Sequence, residues 1–126
     1  MQKSREDGVK FVEETLPTVL TTVPNATAAK VIATGDLEAA IENAWMVFEV
    51  VPEHLHLKKE LFGTLDAKSS ADTILASNSS SFPASQFTDN VKRPERVLNT
   101  HFYMPPDIGS WNSCRAGKPN QGLLIF

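Results

Sequence analysis

Three residues of this 126-residue chain each close an apolar run at a point where a polar side chain could do chemistry: Glu53, Ser80 and His101. His101 follows the apolar run of VLNTHF and precedes Phe102-Tyr103, so an imidazole stands at the C-terminal end of a strand. Such a group titrates near neutral pH and can exchange a proton with a hydroxyl or carbonyl. On position alone, a histidine satisfied by a backbone carbonyl is an equal reading. Proton transfer would also need an orienting carboxylate on the other ring nitrogen, and the one acid after His101 is Asp107. Ser80 lies in Asn78-Ser79-Ser80-Ser81, whose hydroxyl and amide donors suit an oxygen-rich ligand, with plain turn chemistry as the simpler alternative. Glu53 follows Pro52 and is either a site carboxylate or the first-turn acid of a helix, which the helix dipole favours. His54 and His56 have no Cys or acid at ligand spacing and read as solvated helix residues, so no metal is expected. Gly117-Lys118 lacks the flanking residues of a phosphate-binding loop.

The elements that must hold these residues follow from periodicity. Ser4 and Asp7 read as a capping box ahead of Val9, Val12, Leu16, Val19 and Leu20 at helical spacing, and Pro17 should bend or end that helix. Lys30 to Thr34 (KVIAT) reads as a short strand, broken by Gly35, with Asp36 placed to cap the helix LEAAIEN. Trp45 to Val50 reads as a buried strand. The helix after Pro52 carries Leu57, Leu61 and Leu65 on one stripe, with Lys58, Lys59 and Glu60 facing water. TILAS is the next strand, followed by a short helix near Ala84 to Phe87, the charged turn KRPER and the strand VLNTHF. Alternating strands and helices predict βαβ units and a parallel sheet, with all three strand ends along one edge, where open α/β sheets bind ligands. The six glycines never fall two apart, so the chain holds no G-x-G-x-x-G turn to cradle a pyrophosphate. Beyond Ile108 the chain loses periodicity and takes on loop composition.

Composition narrows the function classes. Hydrophobic content of 41% and charged content of 21% are ordinary for a single globular domain. A net charge of −3 argues against nucleic acid as a main partner. The longest apolar run, Trp45 to Pro52, is interrupted by Glu49, so no membrane span is expected, and MQKSREDGVK has no apolar segment of a secretory signal. The lone Cys114 excludes an internal disulfide framework and fits a reducing, intracellular compartment; cytoplasm, mitochondrion and peroxisome stay equally open.

VFEVVPEHLHLKKELFGTLD, DTILASNSSS and RPERVLNTHFYMPP together resemble the NAD-binding domain of the L-3-hydroxyacyl-CoA dehydrogenase family, in its order and near its spacing, over roughly Ala29 to Asp107. The resemblance implies an α/β fold: an incomplete Rossmann-type, doubly wound parallel sheet without its first strands and glycine loop. It implies NAD as cofactor, a small-molecule acyl-CoA or hydroxy-acid substrate, and NAD-dependent oxidation of a 3-hydroxyacyl group to the 3-keto product, as in fatty-acid metabolism. His101 would be the catalytic acid/base; Glu53 and Lys58 would contact NAD; Ser80 would touch both cofactor and substrate. Intact family members are expected to be homodimers. Three departures stand out: the glycine loop and the acid for the adenosine ribose are absent, Met104 replaces the asparagine three residues after the histidine, and no glutamate follows about a dozen residues later. The expected division is therefore 1–108 as a partial NAD-binding domain and 109–126 as an irregular, non-native tail. Read two bases later, the codons of Trp111 and Asn112 contain GAA, a glutamate codon, so a shifted frame would restore that acid. The opposing reading is a catalytically inactive, interaction-only module.

Overall fold

The computed structural model describes residues 2–28 and 30–102, which divide into two compact units between residues 37 and 38. In the first unit, α1 spans Gln2–Leu20. It begins upstream of Ser4, so Ser4 and Asp7 lie inside the helix and form no capping box. Pro17 is also inside it and does not end it. Proline deprives one carbonyl of its partner and crowds it, but only one turn remains to be built. That last turn is closed by Thr21 and Thr22, whose amides donate to the Thr18 and Val19 carbonyls at 3.2 and 3.0 Å and whose hydroxyls reach the same oxygens at 2.7 Å. Asn25 then takes φ 60°, the left-handed conformation asparagine tolerates best after glycine. Residues 30–34, expected as a strand, form none, and Ile32 is exposed. Without a neighbouring strand, the backbone donors and acceptors of such a segment gain nothing by extending in register.

α2 (Leu37–Ile41) starts at the last residue of the first unit and leads into the second, which holds β1 (Met46–Glu49), α3 (Leu55–Lys68), β2 (Ile74–Ser77), two 3-10 turns (Ala84–Gln86 and Pro94–Arg96) and β3 (Val97–Asn99). The sheet is parallel throughout, in the order β1-β2-β3. The α/β architecture and the strands expected around Val47, Leu75 and Leu98 are observed, with Val47 opposite Leu75 and Ala76 opposite Leu98. One row of this register is polar: Glu49 faces Ser77, which faces Asn99, and all three are buried.

The core joins Ile41, Phe62, Leu65, Leu75, Ala84, Phe87 and Val97. Phe62 and Phe87 stack at 4.7 Å between ring centroids. The orientation of α3 keeps part of the expected stripe and corrects the rest. Leu65 is in the core and Leu61 packs against it, but the buried line is Lys58, Phe62, Leu65 and Asp66, and Leu57 is 39% exposed. Leucines four apart fix a stripe only loosely on a helix of 3.6 residues per turn, and the buried partner of Lys58 decides the rotation. β1 also departs from the buried strand expected: Trp45, Phe48 and Val50 are exposed, since β1 is an edge strand.

KRPER is more than a charged turn. Arg96 is buried and grips Asp66 through Nη2 at 2.7 Å and Nε at 3.2 Å, while its Nη1 donates to the carbonyls of Ser70 and Thr73 at 2.6 and 3.0 Å. Arg93 Nε and the Lys92 amide complete the shell around Asp66, at 3.2 and 2.8 Å. One guanidinium thus ties the end of α3, the α3–β2 loop and the entry to β3. Burial pushes the Asp66 carboxyl up, but Arg96, the Lys92 amide and Arg93 outweigh it and hold it below the ordinary aspartate range.

Two outcomes follow. A carboxyl with a lowered folded-state pKa contributes stability above the unfolded value and loses it as pH falls through the folded one. Urea unfolding should therefore show stability declining on acidification below the ordinary aspartate range. D66N should flatten part of that decline and cost about 3 kcal/mol at neutral pH by leaving buried guanidinium charge unpaired. The exposed apolar edge at Trp45–Val50 invites strand pairing between molecules, so the purified chain should self-associate in static light scattering. A concentration-independent monomer would contradict this.

Candidate functional site

The C-terminal ends of all three strands open on one edge, and the residues singled out from sequence gather there. Glu53 is not a first-turn acid: α3 begins at Leu55 behind His54, and its first turn holds no acid. Instead the Glu53 carboxylate faces the serine turn. Its Oε1 accepts the Ser80 amide and its Oε2 accepts the Ser79 hydroxyl, both at 2.9 Å. Lys58 Nζ lies 3.5 Å from Oε2. Burial pushes the Glu53 carboxyl up, yet the Ser79 hydroxyl, the Ser80 amide and the Lys58 ammonium prevail, and the group is held below the usual glutamate range. With its side chain 37% exposed, Glu53 is an ionised acceptor that still meets solvent. Ser80 is exposed beside it.

Lys58 does not face water. Its side chain is 1% exposed, and its ammonium contacts both Glu49 oxygens, at 2.9 and 3.0 Å. Glu49 also accepts the Val51 amide at 2.7 Å and the Ser77 hydroxyl at 2.5 Å. Glu49 and Ser77 escaped the sequence reading, although a signal existed. An acid inside an apolar strand is costly to bury without a cation, and Lys58 lies one turn into the helix that packs back on that strand.

His101 follows β3 and is half-buried, and the backbone on both sides of it is anchored. The Thr100 amide donates to the Ser77 carbonyl at 2.8 Å, and the Phe102 amide donates to Asn78 Oδ1 at 2.9 Å. The Asn78 amide in turn donates to the Glu49 carbonyl at 2.9 Å, so one residue links all three strand ends. Phe102 also packs on Phe48, with ring centroids 5.8 Å apart. Asn99, another residue not foreseen, shapes the serine turn from below: its Oδ1 accepts the Ala84 amide at 2.6 Å and its Nδ2 donates to the Phe82 carbonyl at 3.0 Å. Asp107, Met104 and the tail from 109 lie outside the described residues. His56 pairs with Glu60 at 3.5 Å on the exposed face of α3, and among the described residues no three His, Cys, Asp or Glu are grouped to hold a metal. Nor is any described helix long and apolar enough to cross a membrane.

Comparison with known proteins gives the family. Residues 3–110 match the family model described as 3-hydroxyacyl-CoA dehydrogenase, NAD binding domain. The chain is 36% identical over 101 residues to the human mitochondrial hydroxyacyl-coenzyme A dehydrogenase, covering 80% of this chain and 28% of that protein. It is 42% identical over 67 residues to a probable 3-hydroxybutyryl-CoA dehydrogenase of Bacillus subtilis, covering 53% and 23% respectively. The crystal structure of 3-hydroxybutyryl-CoA dehydrogenase from Escherichia coli superposes with a TM-score of 0.70 at 26% identity, over 86% of this chain and 24% of that one. The chain belongs to the 3-hydroxyacyl-CoA dehydrogenase family, as its NAD-binding domain, and spans about a quarter of the length of the curated relatives it matches.

Asn78 should matter here beyond its share of stability. N78A removes one acceptor, at a cost of about 1 kcal/mol, and frees the segment after His101. Amide hydrogen exchange at Phe102 should accelerate while exchange in β2 stays near wild type. Equal protection of Phe102 in both proteins would show that Asn78 does not anchor the histidine.

Proposed function

We propose that this chain supplies the nicotinamide side of the NAD site and the acid/base of a 3-hydroxyacyl-CoA dehydrogenase, acting on the hydroxyl of a 3-hydroxyacyl-CoA or a related 3-hydroxy acid. The observation that carries the reading is the convergence of Glu53 on Ser79 and Ser80 at one strand end, with the flanks of His101 fastened to the same turn. The site suits the cofactor on its own evidence: an ionised carboxylate, partly open to solvent, beside an exposed serine is built to accept hydrogen bonds from a neutral, hydroxyl-bearing group. NAD, when bound, supplies the hydride acceptor. His101 takes the proton of the substrate hydroxyl, and Ser80 holds the substrate oxygen. Glu53 is the cofactor-facing acceptor. Lys58 lies beneath it, so its part in cofactor binding runs through the charge it lends to Glu53. By sequence pattern we assign residues 1–108 to this partial domain and leave 109–126 outside it.

The absence of a G-x-G-x-x-G turn from the sequence favours a second reading for the isolated chain, a dehydrogenase-like module without turnover. Pyrophosphate affinity comes from backbone amides at a helix N-terminus beside such a turn, and Glu53, Lys58 and Ser80 are not placed to replace them.

Calorimetric titration of the 126-residue chain should therefore give no saturation at micromolar NAD, and micromolar affinity would contradict this account. In a longer polypeptide that adds the glycine loop and an acyl-CoA-binding domain, H101Q should lower kcat by roughly 100- to 10,000-fold, the usual contribution of a general acid/base. An active parent with an equally active H101Q variant would sink the catalytic assignment.

A further inference from the structure

Lys58 has one ammonium and two carboxylates to serve. Both oxygens of Glu49 take it at 2.9 and 3.0 Å, whereas Glu53 receives only the longer 3.5 Å contact. Glu49 and Lys58 are sealed from solvent at 0% and 1% exposure, and Glu53 is the open end of the chain of charges. Glu49 is itself fixed from two further sides, by the Val51 amide and the Ser77 hydroxyl. The ammonium is therefore committed to the interior, and the Glu53 carboxylate rests on Ser79 and Ser80 rather than folding back over the lysine.

We propose that Glu49 is a positioning residue for Glu53: by engaging Lys58 from below, it leaves the Glu53 carboxylate on the serine turn with its outer lone pairs free for a hydrogen-bond donor of the ligand. Remove the Glu49 charge, and a buried ammonium is left with a single carboxylate within reach. A buried cation without a paired anion is strongly disfavoured, so Glu53 must swing inward to meet it and abandon the Ser80 amide. The charged group that contacts Glu53 is Lys58 from α3, with Glu49 from β1 on the other side of that ammonium; the turn after β2 gives Glu53 the Ser79 hydroxyl and the Ser80 amide, while the Ser77 hydroxyl of β2 donates to Glu49. The ligand-facing role of Glu53 rests on the function proposed above; its placement by Glu49 does not, and no cofactor is needed to test it.

The experiment is a pH titration of the Ser80 amide by ¹H–¹⁵N NMR on the full 126-residue chain. In the wild type, this amide should shift as the Glu53 carboxyl loses its proton, because it donates directly to that carboxylate. In E49Q, at least half of this shift should vanish, and E49D, which keeps the charge, should restore most of it. The double variant E49Q/K58M removes both buried charges, leaves nothing to draw Glu53 inward, and should keep the wild-type shift even if E49Q alone fails to fold. A folded E49Q with an undiminished Ser80 shift overturns the proposal, as does loss of the shift in a folded double variant. These outcomes are separate from failure of the NAD or activity measurements, which would strike the function and leave the placement of Glu53 standing.

Discussion

The ion pair between Glu49 and Lys58 is the constraint around which the second unit is arranged. Both side chains are out of water, and stripping solvent from two charges costs several kcal/mol each before their attraction returns anything. Such a pair persists only if nearly every remaining lone pair and proton is used. Here they are: the carboxylate takes the Val51 amide and the Ser77 hydroxyl besides the ammonium, and the ammonium reaches Glu53. These demands fix the rotation of α3 about its axis, the height at which β1 meets β2, and the course of the chain from Val51 to Glu53. An aliphatic pair could fill the same volume but would set none of these.

A second polar cluster works at a distance from the first. Asp66 and Arg96 draw together the end of α3, the loop into β2 and the start of β3. Between the two clusters lies the apolar core built on Phe62, Leu65, Leu75 and Phe87. The β1–α3–β2 crossover is thus held at both ends by charge and in the middle by packing. The side chains with chemical potential sit at the carboxyl edge because strands and crossovers are pinned there in a fixed relation, with Asn78 passing that relation from Glu49 to the segment that carries His101.

Much of this was legible in the residues. Alternation of apolar runs with helical stretches gave the parallel sheet, and the runs themselves gave the strand centres. The polar residue closing each run marked the edge where Glu53 and Ser80 meet. What escaped was every feature in which a charged side chain turns inward. Lys58 was read as facing water, Arg96 only as part of a charged turn and Asp66 not at all, because hydropathy scores a residue alone and their burial depends on partners elsewhere along the chain. Of the expected stripe, Leu65 lies in the core and Leu61 packs against it, and only Leu57 misled, since the paired Lys58 takes the inward position in that turn. Residues 30–34 show the converse limit: strand-forming composition has no effect where no neighbour offers its backbone. Pro17 failed as a helix stop because threonine hydroxyls close the single turn that follows it.

The polar row Glu49–Ser77–Asn99 carries a consequence for how this chain selects one structure among its competitors. Short parallel strands of similar apolar composition could pair in several alignments with comparable burial of surface. Sliding β1 by one residue would set Glu49 against Ala76 or Asn78 and turn alternate side chains to the opposite face. The carboxylate would lose its hydroxyl donor and strand the ammonium at the same moment that the apolar side chains of β1 left their native face. Misaligned sheets are thereby lifted in energy far more than the native one is lowered, and that difference, rather than added strength, is what separates a funnelled landscape from a glassy one. In this small sheet, three polar side chains keep count along the strands.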